Sequence, residues 1–180
     1  PVAASLDHDP GKPLKVWVVN DRMQALKDTL KIEVLTFSGE KLYSKELPFE
    51  ISGNETTLLA VFEEGDLLNG VLAEEVMVLL SSLNDRFQKN YYYLRDYKDI
   101  QLPKANLTVE RNTKDQTITV QTDVLARFIC LDMAQSEVTC SDNFFDLLPG
   151  ETKTVRLNHL GGEKIHLQDI QVSAINNLKD

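Results

Sequence analysis

The feature that most constrains this chain is an alternation of apolar and polar residues with a period of two, which runs from end to end. Ile118 and Val120 alternate with polar neighbours in the way that a half-buried strand requires. Further strands are predicted over residues 14–19, 30–37, 41–51, 56–62, 75–83, 90–95, 106–111, 125–132, 137–140, 153–157 and 169–175. Because no amphipathic helix longer than two turns interrupts them, the sequence predicts an all-β chain of sandwiches.

A break in this pattern divides the 180 residues into two parts. Residues 98–105 (KDIQLPKA) contain a proline and no periodicity, and strands resume directly after them. We therefore predict two consecutive β-sandwich domains, over residues 1–102 and 103–180. Both are close to the size that is usual for this architecture.

The charge balance bears on the partners of the chain. It carries 28 acidic and 19 basic residues, for a net charge of −9. Such a surface repels phosphate backbones and anionic lipids, so neither nucleic acid nor a membrane is predicted as a partner. The apolar run at 76–80 is also too short to span a bilayer. Neutral ligands such as sugars are not disfavoured.

The acidic residues and histidines do not form a recognisable catalytic or metal-binding pattern. A glycosidase needs two carboxyl groups about 5 to 10 Å apart, one with a raised pKa. The adjacent pairs at 63–64 and 74–75 would point to opposite faces of a strand, so we interpret them as solvated. His8, His159 and His166 are scattered along the chain, and we interpret His159 and His166 as exposed loop residues that flank a Gly-Gly turn. We predict no catalytic residue, metal site or cofactor in this chain.

Three consecutive tyrosines, Tyr91, Tyr92 and Tyr93, are the best candidates for carbohydrate binding. On a strand, Tyr91 and Tyr93 share one face, where exposed rings could stack on a sugar. The alternative is that the rings pack into a core or an interface, since tyrosine suits strands. We favour packing, and keep Tyr91 and Tyr93 as candidate carbohydrate-binding residues.

The two cysteines, Cys130 and Cys140, lie on successive predicted strands. A hairpin that pairs residues near Asp132 and Val138 would bring Cys130 opposite Cys140 if its register continued. A cross-strand disulfide is then geometrically feasible in an oxidising compartment. Two buried free thiols are an equal alternative.

Several segments resemble the C-terminal accessory domains of β-mannosidases, in the glycoside hydrolase family that includes β-galactosidases and β-glucuronidases. Residues 141–151 (SDNFFDLLPGE) and the following strand resemble the strand-turn-strand of the last immunoglobulin-like domain. Residues 90–103 are similar to the strand and linker that precede it. Residues 18–22 and 30–39 are similar to the opening hairpin of the previous sandwich.

The resemblance implies a mannosidase-type immunoglobulin-like sandwich followed by a C-terminal immunoglobulin-like one. It implies that the catalytic glutamates of the parent, a retaining glycosidase, lie on a separate (β/α)8 barrel, so no catalytic residue is carried over. The implied partners are the catalytic and N-terminal domains of the same parent chain and mannose-containing glycans. The implied location is secreted, periplasmic or lysosomal. The alternative is an independent carbohydrate-binding module.

Overall fold

The structure is a computed structural model that describes residues 1–133 and 137–178. In chain order the strands are β1 (Val2–Asp7), β2 (Leu14–Asn20), β3 (Leu26–Thr36), β4 (Lys41–Ile51), β5 (Glu55–Phe62), β6 (Val76–Ser82), β7 (Asn90–Tyr93), β8 (Leu107–Asn112), β9 (Thr117–Thr122), β10 (Ala126–Asp132), β11 (Val138–Cys140), β12 (Phe145–Leu147), β13 (Thr152–His159) and β14 (Gln171–Ser173). The helical segments are α1 (Glu64–Leu68) and three 3-10 turns at Ala73–Glu75, Leu167–Asp169 and Ile175–Asn177. The prediction of an all-β chain of sandwich domains is confirmed.

The chain separates into two compact units. The first comprises Pro1–Thr36 and Glu40–Gln101, and the second comprises Phe37–Gly39 and the chain from Leu102 onward. The limits 1–102 and 103–180 of the two sandwich domains stay a prediction.

The first unit contains a three-stranded sheet in the order β1-β2-β5 and a four-stranded sheet in the order β4-β3-β6-β7. Its core is formed by inward-facing side chains of both sheets, which include Val16, Val18, Leu30, Ile32, Val34, Val76, Val78 and Leu80. The alternation in β3 left the buried face open, and the structure decides it. Ile32 and Val34 are fully buried, while Glu33 faces away and pairs with Lys31 and Lys41 at 2.9 and 2.7 Å.

The second unit contains a four-stranded sheet in the order β11-β13-β9-β8 and a three-stranded sheet in the order β12-β10-β14. Its core includes Ile118, Val120, Ile129, Leu131, Val155 and Leu157. The hairpin predicted between 125–132 and 137–140 is wrong. β10 pairs with β12 and β14, whereas β11 pairs with β13, so the two segments belong to different sheets.

Two further sequence interpretations differ from the structure. β1 was not predicted, because its alanines and serine have little strand propensity, and it forms through its antiparallel ladder to β2. The last predicted strand, 169–175, is shorter than expected and consists of β14 between two 3-10 turns. Within the described residues, no helix is both long and apolar enough to cross a membrane.

Candidate functional site

The candidate tyrosines lie on β7, the edge strand of the four-stranded sheet of the first unit. Tyr91 and Tyr93 are half-buried, and their ring centroids are 6.1 Å apart with an angle of 74° between the ring planes. Tyr97 extends the row, with its ring 5.8 Å from that of Tyr93 at 70°. Each ring therefore meets its neighbour edge to face, which is a favourable packing geometry for aromatic side chains.

The rings of this row are not coplanar, so they cannot jointly lie flat against a single sugar ring. In register, Tyr91 is opposite Leu79 and Tyr93 is opposite Met77 on β6. Leu79 and Met77 are buried although they lie on the sheet face opposite to the core residues Val78 and Leu80. The tyrosines thus belong to a second apolar layer on this face. Carbohydrate binding by Tyr91 and Tyr93 stays a prediction.

A carboxylate with four polar contacts to three residues lies elsewhere in the first unit, at the start of α1. Glu64 accepts two hydrogen bonds from the Arg95 guanidinium, at 2.7 and 3.0 Å, and one from the main-chain N–H of Gly11 at 3.0 Å. The His8 ring lies 2.8 Å from the same carboxylate. The prediction that Glu64 is solvated is wrong, because only 11% of its side chain is exposed; the His8 side chain is 8% exposed.

These partners determine the protonation of Glu64. The hydrogen bonds from Arg95 lower the pKa of Glu64 from 4.5 to about 2, with further contributions from Gly11 and His8 that outweigh the opposing effect of burial. A general acid in a glycosidase needs a carboxyl pKa raised toward neutrality. Glu64 is shifted the other way, so this cluster joins three segments of the fold and does not have the chemistry of an acid catalyst.

The segment SDNFFDLLPGE contributes side chains that bind main-chain groups of β10. Asn143 accepts a hydrogen bond from the Leu131 N–H at 2.8 Å and donates one to the Leu131 carbonyl at 3.1 Å. Further along, the Glu151 side chain accepts a hydrogen bond from the Leu148 N–H at 3.0 Å, within the turn. These polar residues therefore hold strands and turns in place.

A buried ion pair accompanies an irregularity in β10. The register against β12 shifts between Ala126 and Ile129, and Phe128 takes a left-handed φ of 44°. Arg127 turns inward, with a side chain that is 5% exposed, and its Nε lies 3.1 Å from Asp146. Asp146 also accepts the Phe128 N–H at 2.7 Å. Sequence reasoning missed this pair, although an arginine inside an apolar strand was a usable signal for a buried ion pair.

The cysteines and histidines form neither a disulfide nor a metal site in the part of the chain that the structure describes. Cys130 and Cys140 are free thiols on strands of different sheets, and burial raises the pKa of Cys130. The side chain of His159 is 6% exposed, contrary to prediction, and its Nδ1 accepts the Gly161 N–H at 3.1 Å. No group of three or more His, Cys, Asp or Glu in residues 1–133 and 137–178 could hold a metal ion.

Comparison with known domain families identifies both halves of the chain. Residues 12–99 match the Mannosidase Ig/CBM-like domain, and residues 101–178 match the Ig-fold domain of mannosidases. The chain belongs to these families: it is a pair of Ig-like accessory domains of mannosidase-type glycoside hydrolases. The resemblance described for the SDNFFDLLPGE segment and the preceding strands is thereby confirmed.

Solved structures agree at the level of the fold. The β-D-mannosidase of Dictyoglomus thermophilum matches 97% of this chain with a TM-score of 0.64 and 20% identity. The exo-chitosanase CsxA of Amycolatopsis orientalis matches 98% with a TM-score of 0.51 and 16% identity. The chain spans 22% and 26% of the length of these two proteins. No curated protein sequence matches the chain.

Proposed function

We propose that this chain is the non-catalytic accessory region of a β-mannosidase-like glycoside hydrolase, and that it packs against a separate catalytic barrel. The observation that carries the proposal is the order of the domains, a Mannosidase Ig/CBM-like domain followed by an Ig-fold domain over residues 12–99 and 101–178. Two enzymes with this fold, a β-D-mannosidase and an exo-chitosanase, are about four times as long, which leaves room for a barrel. The parent would hydrolyse terminal β-mannosyl or related β-glycosidic bonds with retention.

The chemistry of the acidic residues supports an accessory role. In the first unit, Glu64 has a lowered pKa and accepts hydrogen bonds from the guanidinium of Arg95. Asp146 in the second unit is engaged by Arg127 and by the Phe128 N–H. Both carboxylates are occupied by bonds that stabilise the fold, which is how acidic residues behave in a domain without catalysis of its own.

The gene sequence upstream of residue 1 tests the proposal. We expect it to encode alternating strands and helices of a (β/α)8 barrel, with two glutamates at strand ends. An upstream region without such a pattern, or with a barrel that lacks the glutamates, would contradict the proposed parentage.

An independent carbohydrate-binding module is the second candidate, and the exposed ring of Tyr97 beside Tyr91 and Tyr93 is the observation that favours it. Titration with mannobiose, followed by calorimetry, separates the two functions. The accessory role predicts no saturable heat. Saturable binding that is abolished by Tyr91→Ala or Tyr93→Ala, but kept in Tyr43→Ala, would establish a binding module instead. Tyr43 is the matched control because it makes a similar edge-to-face contact, 5.9 Å from Phe62, away from this row.

A further inference from the structure

Two arginines from different loops line one cleft in the first unit. Arg22 lies in the turn between β2 and β3, and Arg86 lies in the loop between β6 and β7. The cleft has a volume of about 310 Å³, and its charged lining residues, Arg22, Arg86 and Lys27, are all basic. An adjoining cleft of about 820 Å³ is lined by the same two arginines and also by Lys89 and Asp85. This concentration of positive charge stands out in a chain with a net charge of −9.

Both guanidinium groups are available to a ligand. In the portion of the chain covered by the structure, neither the Arg22 nor the Arg86 side chain makes a hydrogen bond or an ion pair. Lys27, by contrast, pairs with Glu50 at 2.9 Å. Asp28 interacts electrostatically with Arg86. The carboxylate of Asp28 accepts hydrogen bonds from other side chains, those of Ser82 and Asn84. Among the described residues, the two arginines are therefore the charged side chains of this cleft that have no hydrogen-bonded or ion-paired partner.

A fully buried asparagine fixes the loop that carries Arg22. Asn20 Nδ2 donates to the carbonyl groups of Gln24 and Ser52, both at 2.9 Å. Its Oδ1 accepts the main-chain N–H of Arg22 at 3.1 Å. Because Asn20 has no exposed surface, these three bonds hold the backbone of the Arg22 loop without competition from water.

A second buried polar group fixes the loop that carries Arg86. Ser82 Oγ accepts the main-chain N–H groups of Arg86 at 2.8 Å and of Asn84 at 3.2 Å. The Ser82 hydroxyl in turn donates to the carboxylate of Asp28, which is 7% exposed. Asn84 Nδ2 donates to the same carboxylate at 2.6 Å. Both arginine-bearing loops are thus held by hydrogen bonds that are anchored in the sheets.

We propose that this cleft binds the oxyanion group of a small acidic ligand between Arg22 and Arg86. A guanidinium fork matches a carboxylate, sulfate or phosphate with two parallel hydrogen bonds. Loops that are already fixed lose little entropy when the ligand binds. A cleft of about 310 Å³ lies at the lower end of the range for small-molecule sites, which suits a group no larger than a monosaccharide. The oxyanion comes either from an acidic sugar or from a free inorganic ion.

The test is a titration of the ¹⁵N-labelled chain with D-glucuronate, inorganic sulfate and neutral D-glucose, followed by amide chemical shifts. We expect saturable shifts in residues 22–27 and 83–89 with the first two ligands and none with glucose. Tighter binding of glucuronate than of sulfate would identify the acidic sugar as the source of the oxyanion. The reverse order would identify the inorganic ion. Arg22→Gln and Arg86→Gln are each expected to weaken binding about tenfold or more, because each removes charged hydrogen bonds.

Two further variants keep the test specific. Arg86→Lys retains the charge but loses the fork, so its affinity should fall between those of the wild type and Arg86→Gln. Arg156→Gln removes an exposed arginine of β13 in the second unit and should leave binding unchanged. The proposal fails if neither anion gives saturable shifts, if glucose binds equally well, or if Arg156→Gln weakens binding as much as Arg86→Gln. None of these results depends on the catalytic activity of a parent enzyme.

Discussion

In the first unit the central strands pair over long ladders, whereas in the second unit one central strand is only loosely paired. β3 and β4 form ten residue pairs, while β10 and β12 meet at two. Side chains form hydrogen bonds to main-chain groups of β10 that the short β10–β12 ladder leaves without strand partners. Asn143 bonds both the N–H and the carbonyl of Leu131, and Asp146 receives the N–H of Phe128. The residues that carry the family resemblance in this unit are therefore residues that assemble its sheet.

In the first unit, buried polar side chains hold loops and do not pair strands. There Asn20 and Ser82 lie at strand ends and hold the loops that follow them. The ladders of β3 are long, with ten residue pairs to β4 and seven to β6, so these side chains are not needed to pair those strands. This difference indicates that removing a buried polar side chain should damage the sheet in the second unit, and mainly displace loops in the first.

The largest effect is expected from Asp146→Ala in the second unit. The substitution leaves the buried guanidinium of Arg127 without its carboxylate and the Phe128 N–H without its acceptor. Breaking a buried ion pair in this way costs about 3 to 5 kcal/mol of unfolding free energy. Denaturant unfolding followed by fluorescence or circular dichroism measures it.

Asp142→Ala is the control in the same segment. Its carboxylate pairs with Lys153, but both side chains are substantially exposed. An exposed pair contributes about 0 to 1 kcal/mol, so stability should hardly change. Equal losses for Asp142→Ala and Asp146→Ala would show that the buried pair does not support the strand.

Gly53→Ala should be the most damaging glycine substitution in the first unit. A Cβ atom at this position would lie 2.3 Å from the Met23 carbonyl oxygen and 2.8 Å from that of Arg22. The obstacle is backbone, held by the hydrogen bond from the Asn54 N–H to Arg22 at 3.0 Å. We expect a loss of about 2 to 3 kcal/mol.

Gly65→Ala, within α1, is the matched control for that substitution. No heavy atom lies within 4 Å of its Cβ position, and alanine favours a helix, so stability should stay constant or rise slightly. Amide spectra of Gly53→Ala should change chiefly around residues 21–25 and 52–54. Loss of the whole sheet would contradict the contrast drawn between the units.

Acid should weaken the first unit through Glu64. Its pKa is lowered from 4.5 to about 2 in the folded protein, so its contribution is complete above pH 4.5 and disappears as the pH falls through 2. Glu64→Gln should therefore cost about 2 kcal/mol at pH 7, and the difference from wild type should shrink toward zero near pH 2. Urea unfolding across this range measures it. The control Glu63→Gln removes an exposed neighbouring carboxylate and should leave stability unchanged. If the difference in unfolding free energy between wild type and Glu64→Gln does not vary with pH, the lowered pKa of Glu64 is contradicted.

Most strands could be predicted from the sequence because apolar and polar residues alternate along them. β4 was predicted with its observed limits, Lys41–Ile51. Which strands pair with each other was harder to predict from the sequence. Alternation is equally consistent with several pairings, so the β10–β11 hairpin was predicted from chain order alone and proved wrong.

The polar clusters could not be found from the sequence, because each joins segments that are far apart in the chain. Glu64 meets His8 and Arg95 only after three loops have been placed. The cleft between Arg22 and Arg86 depends in the same way on two loops that are more than 60 residues apart in the chain, between β2 and β3 and between β6 and β7. The tyrosine row was found, because its residues are adjacent, but its edge-to-face geometry depends on the neighbouring strand.

The claim that these carboxylates stabilise the fold and catalyse nothing is tested most directly by assaying the purified 180-residue chain with a chromogenic aryl β-D-mannoside. We predict release of the chromophore at the rate of buffer alone across the acidic and neutral pH range. Turnover above that rate that is abolished by Glu64→Gln or Asp146→Asn, in variants that remain folded, would contradict the account.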